Sequence, residues 1–260
     1  MSPEPNPPEP PPADVAPWHA QGLATFTTSL AARGFDLVAT CSVADYDRRV
    51  PAEFRFADPL ARHEPPVRAD DVIVLIGASR TIWPAFAATL AREPARRLEA
   101  HPFDRWSSEV IATLVADLPP SRVVDLRMVF EGPPHAFAAQ HLAEATGLAC
   151  RGPAALSVHP IFGPWFALRA ALVLRGVGGA VPASQADPIC DRCPTRACLP
   201  ALEHALGESR RPASPPDHGQ VREQWRLWLA VRDACPVGRE YRYSENQIRW
   251  HYAHDRSALV

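Results

Sequence analysis

The run Asp71-Val-Ile-Val-Leu-Ile-Gly77 is a continuous apolar stretch that ends at the turn residues Gly77-Ala-Ser79. It is too short for an apolar helix and has the composition of a strand that is buried on both faces. A helical spacing of apolar residues follows over 82–98. Together they predict a central strand succeeded by a helix that lies on the sheet.

Strand and helix patterns alternate on both sides of this pair. Upstream, residues 23–33 have helical spacing and 35–40 have the composition of a strand. The chain carries no glycine-rich dinucleotide fingerprint. We therefore predict an α/β or α+β fold, with a mixed sheet and flanking helices, rather than a Rossmann fold. The downstream pattern is helix 101–118, strand 123–130, helix 134–146 and two strands within 154–160 and 165–175.

Composition divides the chain into three parts. Residues 1–17 are rich in proline and have almost nothing that packs, so they are predicted to be a disordered tail. Residues 18–176 contain the strand and helix patterns and form the predicted α/β core. A linker of Gly, Pro, Ala and Ser over 177–187 opens the third part, 177–260. This part is predicted to be a cysteine-rich iron–sulfur segment whose C-terminal helix packs on the core.

The charge and hydropathy of the chain argue against two classes of partner. Its 260 residues carry a formal net charge of −2 and a mean hydropathy of −0.16. This balance gives no electrostatic basis for binding nucleic acid, and no apolar run is long enough to span a bilayer. The N-terminus lacks the basic and apolar regions of a secretory signal, so we expect a protein of the reducing cytoplasm.

Four cysteines have the spacing of metal ligands. Three fall in the run Pro-Ile-Cys190-Asp-Arg-Cys193-Pro-Thr-Arg-Ala-Cys198, and the fourth follows as Ala-Cys235-Pro-Val-Gly. Bacterial ferredoxins use a related arrangement, in which one ligand of a four-iron cluster comes from a separate Cys-Pro run. Proline beside two of the cysteines favours a [4Fe–4S] cluster, although the same four thiolates also suit zinc.

The two remaining cysteines, Cys41 and Cys150, each stand alone in an apolar segment. A thiol in such a setting packs like a small apolar group. We therefore predict that both are buried and take no part in the metal site.

Three short runs together resemble a known family. They are His159-Pro-Ile-Phe-Gly-Pro-Trp-Phe-Ala-Leu-Arg169, Arg232-Asp-Ala and Tyr243-Ser-Glu-Asn-Gln247. The combination is similar to the cobalamin-processing family of the cblC type, whose members remove the upper axial ligand of cobalamin. The fold of that family is related to the flavin nitroreductases, so the resemblance implies a nitroreductase-like core.

The resemblance also implies a binding role for three arginines. Arg169, Arg232 and Arg256 fall at positions where the family binds glutathione. A charge in a segment as apolar as the one around Arg169 requires either an anionic ligand or an internal partner. The residues alone leave both explanations open.

The same resemblance places residues 159–165 on the loop that lies near the corrin, with His159, Gly163 and Trp165 as cofactor-binding residues. The paired glycine of the family is Gly163-Pro164 here, and the proline removes an N–H and fixes φ. Judged without the resemblance, His159 also fits a side chain that caps backbone groups, and Trp165 also fits a core aromatic residue.

The cysteine run carries a second resemblance, to bacterial proteins described as ferredoxin-like. Those proteins usually have further cysteines, whereas the four ligands of this chain allow one cluster. Epoxyqueuosine reductases combine a cobalamin domain of related fold with iron–sulfur centres, so the two resemblances are compatible within one chain.

These features predict an iron–sulfur redox protein that passes electrons to a bound corrinoid or a similar acceptor between the core and the C-terminal helix. A corrinoid-dependent or corrinoid-processing reductase is one form of this hypothesis, with glutathione or flavin as a less favoured ligand. One alternative is a non-catalytic, ferredoxin-like electron carrier that serves a redox partner protein. The other is an interaction protein with a structural zinc ion.

Overall fold

The structure is a computed structural model that describes residues 20–57, 65–177, 186–208 and 223–260. The predicted tail over 1–17 and most of the predicted linker over 177–187 lie outside the described residues. The described ranges comprise the core and the two separate stretches that carry the metal-ligand cysteines.

A four-stranded sheet forms the centre of the core. The strands in chain order are β1 (Leu37–Ser42), β2 (Val72–Ala78), β3 (Val123–Met128), β4 (Cys150–Arg151), β5 (Ser157–Val158) and β6 (Ala167–Leu174). The main sheet has the order β1-β2-β6-β3, and β4 pairs with β5 in a separate hairpin. The apolar run 71–77 thus forms β2, and every residue of this strand is buried.

The described strands of the main sheet pair only in the antiparallel sense, whereas the sequence predicted a mixed sheet. The reason is the position of β6, which lies between β2 and β3 and runs opposite to both. β2 and β3 therefore point in the same direction without being neighbours. The predicted α/β class with flanking helices is confirmed.

Helices cover both faces of this sheet. They are α1 (Ala20–Ala31), α2 (Val43–Asp47), α3 (Ile82–Arg92), α4 (Pro102–Ala116) and α5 (Ala139–Ala145). Because side chains alternate along a strand, Val74 and Ile76 of β2 join one apolar cluster with α1, α3 and α4. Ile73 and Leu75 join a second cluster, with α2 and α5, on the opposite face.

Proline explains where two of the predicted helices differ from the observed ones. The helix predicted over 82–98 ends at Arg92, and Pro94 begins a short 3-10 turn. The helix predicted over 134–146 begins only at Ala139, after the pair Pro133-Pro134. Proline lacks the N–H that a helix interior needs, so both changes follow from its chemistry.

The C-terminal segment is helical and packs on the core. It contains α6 (Cys198–Glu208), α7 (Trp225–Asp233) and α8 (Glu245–Ile248). Beyond α8, Trp250 and Leu259 are buried in the same apolar cluster as α3 and α4. No helix within the described ranges is long and apolar enough to cross a membrane.

Candidate metal centre and the adjoining cavity

The four cysteines of the metal-ligand pattern line one small cavity. Its other walls come from the β4–β5 hairpin and from the turn after α7, and they are mostly apolar. Cys235 is buried, whereas the other three cysteines are partly exposed. The lining residues are Gly152, Pro153, Ala154, Leu156, Val158, Ile189, Cys190, Cys193, Arg196, Ala197, Cys198, Cys235, Pro236 and Val237.

Local turns direct these thiols towards one another. The Cys193 N–H donates to the Cys190 carbonyl, which folds the first two ligands into a tight turn. Arg196 then adopts a positive φ of 41°, and α6 begins at Cys198. Cys235 arrives from the other side because α7 ends two residues before it. Cysteines distant in the sequence thus line the same cavity.

Burial and mutual proximity govern the protonation of the thiols. Burial raises the pKa of Cys190 to about 12, and the neighbouring thiols of Cys150, Cys235 and Cys198 add to this effect. Burial likewise raises the pKa of Cys198 and of Cys235. Backbone N–H groups of Arg196 and Thr195 instead lower the pKa of Cys193. Cys190, Cys198 and Cys235 therefore keep their protons at neutral pH, and binding a metal would release them.

The thiols share a cavity without closing around a single point. Within the residues that the structure describes, no group of three or more His, Cys, Asp or Glu side chains has an arrangement that could hold a metal ion. A tetrahedral zinc site requires four sulfurs at about 2.3 Å from one centre. The four thiols would have to move closer together to form such a site.

Cys150, which is isolated from other cysteines in the sequence, lies next to one of the four. It is buried as predicted, but its Sγ atom is 3.8 Å from Cys190 Sγ. The hairpin of β4 and β5 brings it there, although the two residues are 40 positions apart. Cys41, by contrast, is fully buried in the core cluster below the sheet, as predicted.

A second cavity, of about 520 Å³, lies between the core and α7. Residues 154 and 156 line both cavities, so the two cavities adjoin along this segment. The residues that line this second cavity, as far as the structure describes them, include no carboxylate. They are Ala154, Ala155, Leu156, Ala167, Leu202, Trp228, Val231, Arg232, Tyr243, His251 and Tyr252.

Arg232 gives this second cavity its positive charge. Its guanidinium lies 5.8 Å from the ring centre of Tyr252 and 6.0 Å from that of Trp165. None of the described carboxylates forms an ion pair with it, and the phenols of Tyr252 and Tyr243 lie close enough to raise its pKa. A cation that is held by aromatic rings and not neutralised by an acid is suited to an anionic ligand.

Two of the residues that line this cavity carry a buried polar atom without a partner. Trp228 Nε1 and His251 Nε2 are buried and have no hydrogen-bond partner among the described residues. Burial, assisted by the charges of Arg169 and Arg232, lowers the pKa of His251 to about 3, so its imidazole is neutral. Burial raises the pKa of Tyr243 to about 12, so its phenol keeps its proton. Buried donors without partners are expected to bind a ligand or water.

The other two predicted arginines are engaged elsewhere. Arg169 Nη2 donates to Asp104 Oδ1 at 2.7 Å and to Ser107 Oγ at 2.8 Å, so the internal partner that the sequence left open is present. Arg256 donates to the carbonyl oxygens of Arg97 and Glu99, away from this cavity. Only Arg232 of the three faces the open volume.

The aromatic residue of the predicted corrin loop is buried. Trp165 is 1% exposed and packs edge-on against Tyr243, with ring centres 5.5 Å apart. Arg242, which is paired with Asp233, lies over the same ring at 5.5 Å. Trp165 therefore forms the floor beneath Arg232 and Tyr243, and a ligand would reach those two residues first.

His159 caps the loop in which it lies. Its Nδ1 atom accepts hydrogen bonds from the N–H groups of Ile161, at 3.0 Å, and Phe162, at 3.2 Å. Backbone hydrogen bonds between His159 and Gly163 close the turn in both directions. Burial lowers the pKa of His159, in keeping with an imidazole that accepts at Nδ1.

The same loop packs backbone to backbone on the turn that follows Cys235. A Cβ atom at Gly163, which has φ +57°, would lie 1.9 Å from the Val237 carbonyl oxygen. A Cβ atom at Gly238, which has φ +70°, would lie 2.2 Å from the Phe162 carbonyl carbon. Both positions therefore require glycine. The predicted corrin loop is thus in direct backbone contact with the turn that follows Cys235.

Sequence reasoning missed His251 and the position of Cys150. His251 lies in the short π-helical turn over 249–253, where it packs edge-on against Phe103 with ring centres 4.9 Å apart. A lone histidine in an aromatic C-terminal segment gives no signal of its own. Its role depends on the return of the chain to the core, which no local pattern indicates.

Comparison with known proteins places this fold among solved structures. No family model and no curated protein matches the sequence. The crystal structure of a C. elegans B12-trafficking protein CblC, a human MMACHC homologue, matches with a TM-score of 0.65 at 15% identity, over 92% of this chain and 95% of that one. Epoxyqueuosine reductase from Bacillus subtilis matches with a TM-score of 0.50 at 12% identity, over 86% and 67%. The chain therefore has the CblC-like, nitroreductase-related fold that its sequence resemblance implied.

Proposed function

We propose that this chain is a redox protein in which Cys190, Cys193, Cys198 and Cys235 hold one [4Fe–4S] cluster beside a binding cavity for an anionic electron acceptor. The observation that carries the proposal is the pair of adjoining cavities. One is lined by all four cysteines and the other by Arg232, Trp228, Tyr243 and His251, and Ala154 and Leu156 line both.

The donor set fits an iron–sulfur cluster better than a single ion. Four thiolates are the ligands of a [4Fe–4S] cluster, which occupies the space between its ligands, whereas zinc draws its ligands to one point. Proline follows two of the four cysteines, Cys193 and Cys235, which favours a cluster, and the described thiols line a common cavity. Arg196, in the cavity wall, would favour a cluster that is anionic.

When bound, such a cluster supplies single-electron transfer. The role of the chain is to hold the acceptor close to the cluster and shielded from water. Arg232 would bind an anionic group of the acceptor, Trp228 Nε1 would donate a hydrogen bond, and the protonated phenol of Tyr243 would donate another. Ala154 and Leu156 supply the thin apolar wall between the acceptor and the thiols.

A corrinoid is the acceptor that we favour. The CblC-like fold is that of a B12-trafficking protein, and the runs at 159–169, 232–234 and 243–247 resemble the same family. The phosphate of the nucleotide tail of cobalamin is an anionic group that suits Arg232. The close backbone contact between Gly163 and Val237 would couple the position of the corrin loop to that of the turn after Cys235.

The test is a titration of the anaerobically reduced protein with hydroxocobalamin, followed by the absorbance of the corrin. We expect binding and one-electron reduction of the corrinoid. Replacing Arg232 by Gln should weaken binding by about tenfold or more, because a charged hydrogen bond contributes about 1.5–3 kcal/mol. Cys193→Ser should abolish reduction and leave binding in place.

Arg256→Gln is the matched control, because the Arg256 guanidinium bonds to two carbonyl oxygens outside the cavity. It should bind the corrinoid like the unmodified protein. An equal loss in the Arg232 and Arg256 variants, or no binding of hydroxocobalamin at all, would contradict a corrinoid acceptor. Reduction of a partner ferredoxin without any small-molecule binding would instead favour the electron-carrier alternative.

A further inference from the structure

The thiols of Cys150 and Cys190 form a close pair that the metal-ligand pattern does not explain. Their sulfur atoms are 3.8 Å apart, and Cys150 Sγ also lies 3.7 Å from the Val158 carbonyl oxygen. Cys150 sits in β4, whereas Cys190 stands at the start of the ligand run. A fifth thiol is therefore in contact with one of the four proposed ligands.

The local backbone allows these sulfurs to meet. Gly152 follows β4, and a Cβ atom at this position would lie 3.1 Å from Cys190 Sγ. The absence of a side chain at Gly152 leaves the space in which the Cys190 thiol lies against the hairpin. A disulfide needs a sulfur separation of about 2.05 Å, so closing the gap requires a movement of about 2 Å. Cys190 is partly exposed in the turn over 188–193, and this turn would have to supply the movement.

A cleft of about 340 Å³, separate from the cavity that the four cysteines line, gives access to the pair. Both cysteines line this cleft, so a small oxidant reaches them without passing through the cavity that the four cysteines line. Cys190 is partly exposed, whereas Cys150 is buried behind it. The lining residues are Arg49, Glu144, Cys150, Arg151, Ala186, Pro188, Cys190 and Asp191.

We propose that Cys150 and Cys190 are a redox-active dithiol that closes to a disulfide. The co-reactant is a small-molecule disulfide. Its S–S bond breaks and takes up two electrons and two protons, and the two cysteine thiols lose the same two electrons and two protons as their S–S bond forms. One consequence rests on the proposed function, in which Cys190 is a cluster ligand. In that case the disulfide removes Cys190 from the ligand set.

The test is the redox equilibrium of the full-length chain in mixtures of oxidised and reduced dithiothreitol, with a chelator present. Free thiols are then blocked with iodoacetamide, and peptides are mapped by mass without reduction. We expect one cross-linked product that joins the Cys150 and Cys190 peptides and is lighter by two hydrogens. Its amount should rise with the fraction of oxidised dithiothreitol.

Two variants make the result specific. Cys150→Ser should lose the cross-linked product entirely, whereas Cys41→Ala, which changes a thiol buried in the core, should keep it. A chain in which both thiols stay fully alkylated in the most oxidising mixture would overturn the proposal. So would a cross-link from Cys190 to Cys193 or Cys235 in place of Cys150.

Metal content separates this inference from the proposed function. Cys150 is outside the proposed ligand set, so Cys150→Ser should still bind iron and sulfide at the level of the unmodified chain. Iron binding without the cross-link in the unmodified chain would refute the dithiol alone. The cross-link without iron binding would refute the cluster alone.

Discussion

The central strands and the cysteine segment are ordered by different means. β2 is buried at every position and packs on apolar clusters on both faces of the sheet. Cys190, Cys193 and Cys198 are all partly exposed, and the apolar cluster around the thiols is small. Burial of apolar surface is sufficient to order the first region. The second lacks that surface, and we expect it to depend on what the thiols bind.

The largest effect should come from the core itself. Phe86 is fully buried and touches Trp83, Phe103 and Trp106. Phe86→Ala should lower the free energy of unfolding by about 3–5 kcal/mol, through lost burial and the cavity that remains. Denaturant unfolding with and without a chelator measures it.

Phe130→Ala is the matched control, because Phe130 is 47% exposed. Its effect should stay within about 0.5 kcal/mol. The loss caused by Phe86→Ala should also be the same with and without the chelator. Equal losses for the two phenylalanines would contradict a core ordered by apolar burial, and a loss that changes with the chelator would contradict a core that is stable without a metal.

A smaller effect is expected where the two regions meet. Gly163→Ala places a Cβ atom against the Val237 carbonyl and strains a residue with positive φ. We expect a loss of about 1–3 kcal/mol, together with a change in the turn that carries Cys235. Limited proteolysis around 235–238 and denaturant unfolding would measure the two consequences.

Gly207→Ala provides the comparison, since a Cβ atom at Gly207 meets nothing within 4 Å. This glycine lies inside α6, so alanine should stabilise the helix by up to about 1 kcal/mol. If Gly163→Ala were as harmless as Gly207→Ala, the close approach of the two turns would be refuted.

The smallest effect concerns pH. Burial, with the charges of Arg169 and Arg232, lowers the pKa of His251 to about 3, whereas an unfolded histidine titrates near about 6.5. Between these values the unfolded chain binds one more proton than the folded chain. The free energy of unfolding therefore falls as the pH drops below about 6.5, by at most about 1.4 kcal/mol per pH unit.

His251→Phe isolates this contribution, because a phenyl ring preserves packing against Phe103 and Tyr243 but does not titrate. The variant should lose less stability than the unmodified chain between pH 6 and pH 4.5. Denaturant unfolding at several pH values measures the difference. If the free energy of unfolding had the same pH dependence in the variant and in the unmodified chain, His251 would titrate normally in the folded state.

The contrast between the two regions also explains what the sequence could predict. The apolar run 71–77 and the helical spacing at 23–33 and 101–118 act over short distances, and the structure has each element where the pattern placed it. The shared cavity of the four cysteines agrees with their spacing, whereas the metal site itself stays a prediction. The pairing of Cys150 with Cys190 and the return of His251 to the core depend on contacts between distant segments, and no local pattern predicts these.

The central claim is that four cysteines hold one iron–sulfur cluster, and the most direct test is chemical. The protein, purified without oxygen, is analysed for iron, acid-labile sulfide and zinc, and its absorbance is recorded beside that of Cys193→Ser and Cys41→Ala. The account predicts a brown protein with about four irons and four sulfides per chain, unchanged in Cys41→Ala and lost in Cys193→Ser. A colourless protein with one zinc per chain would contradict it.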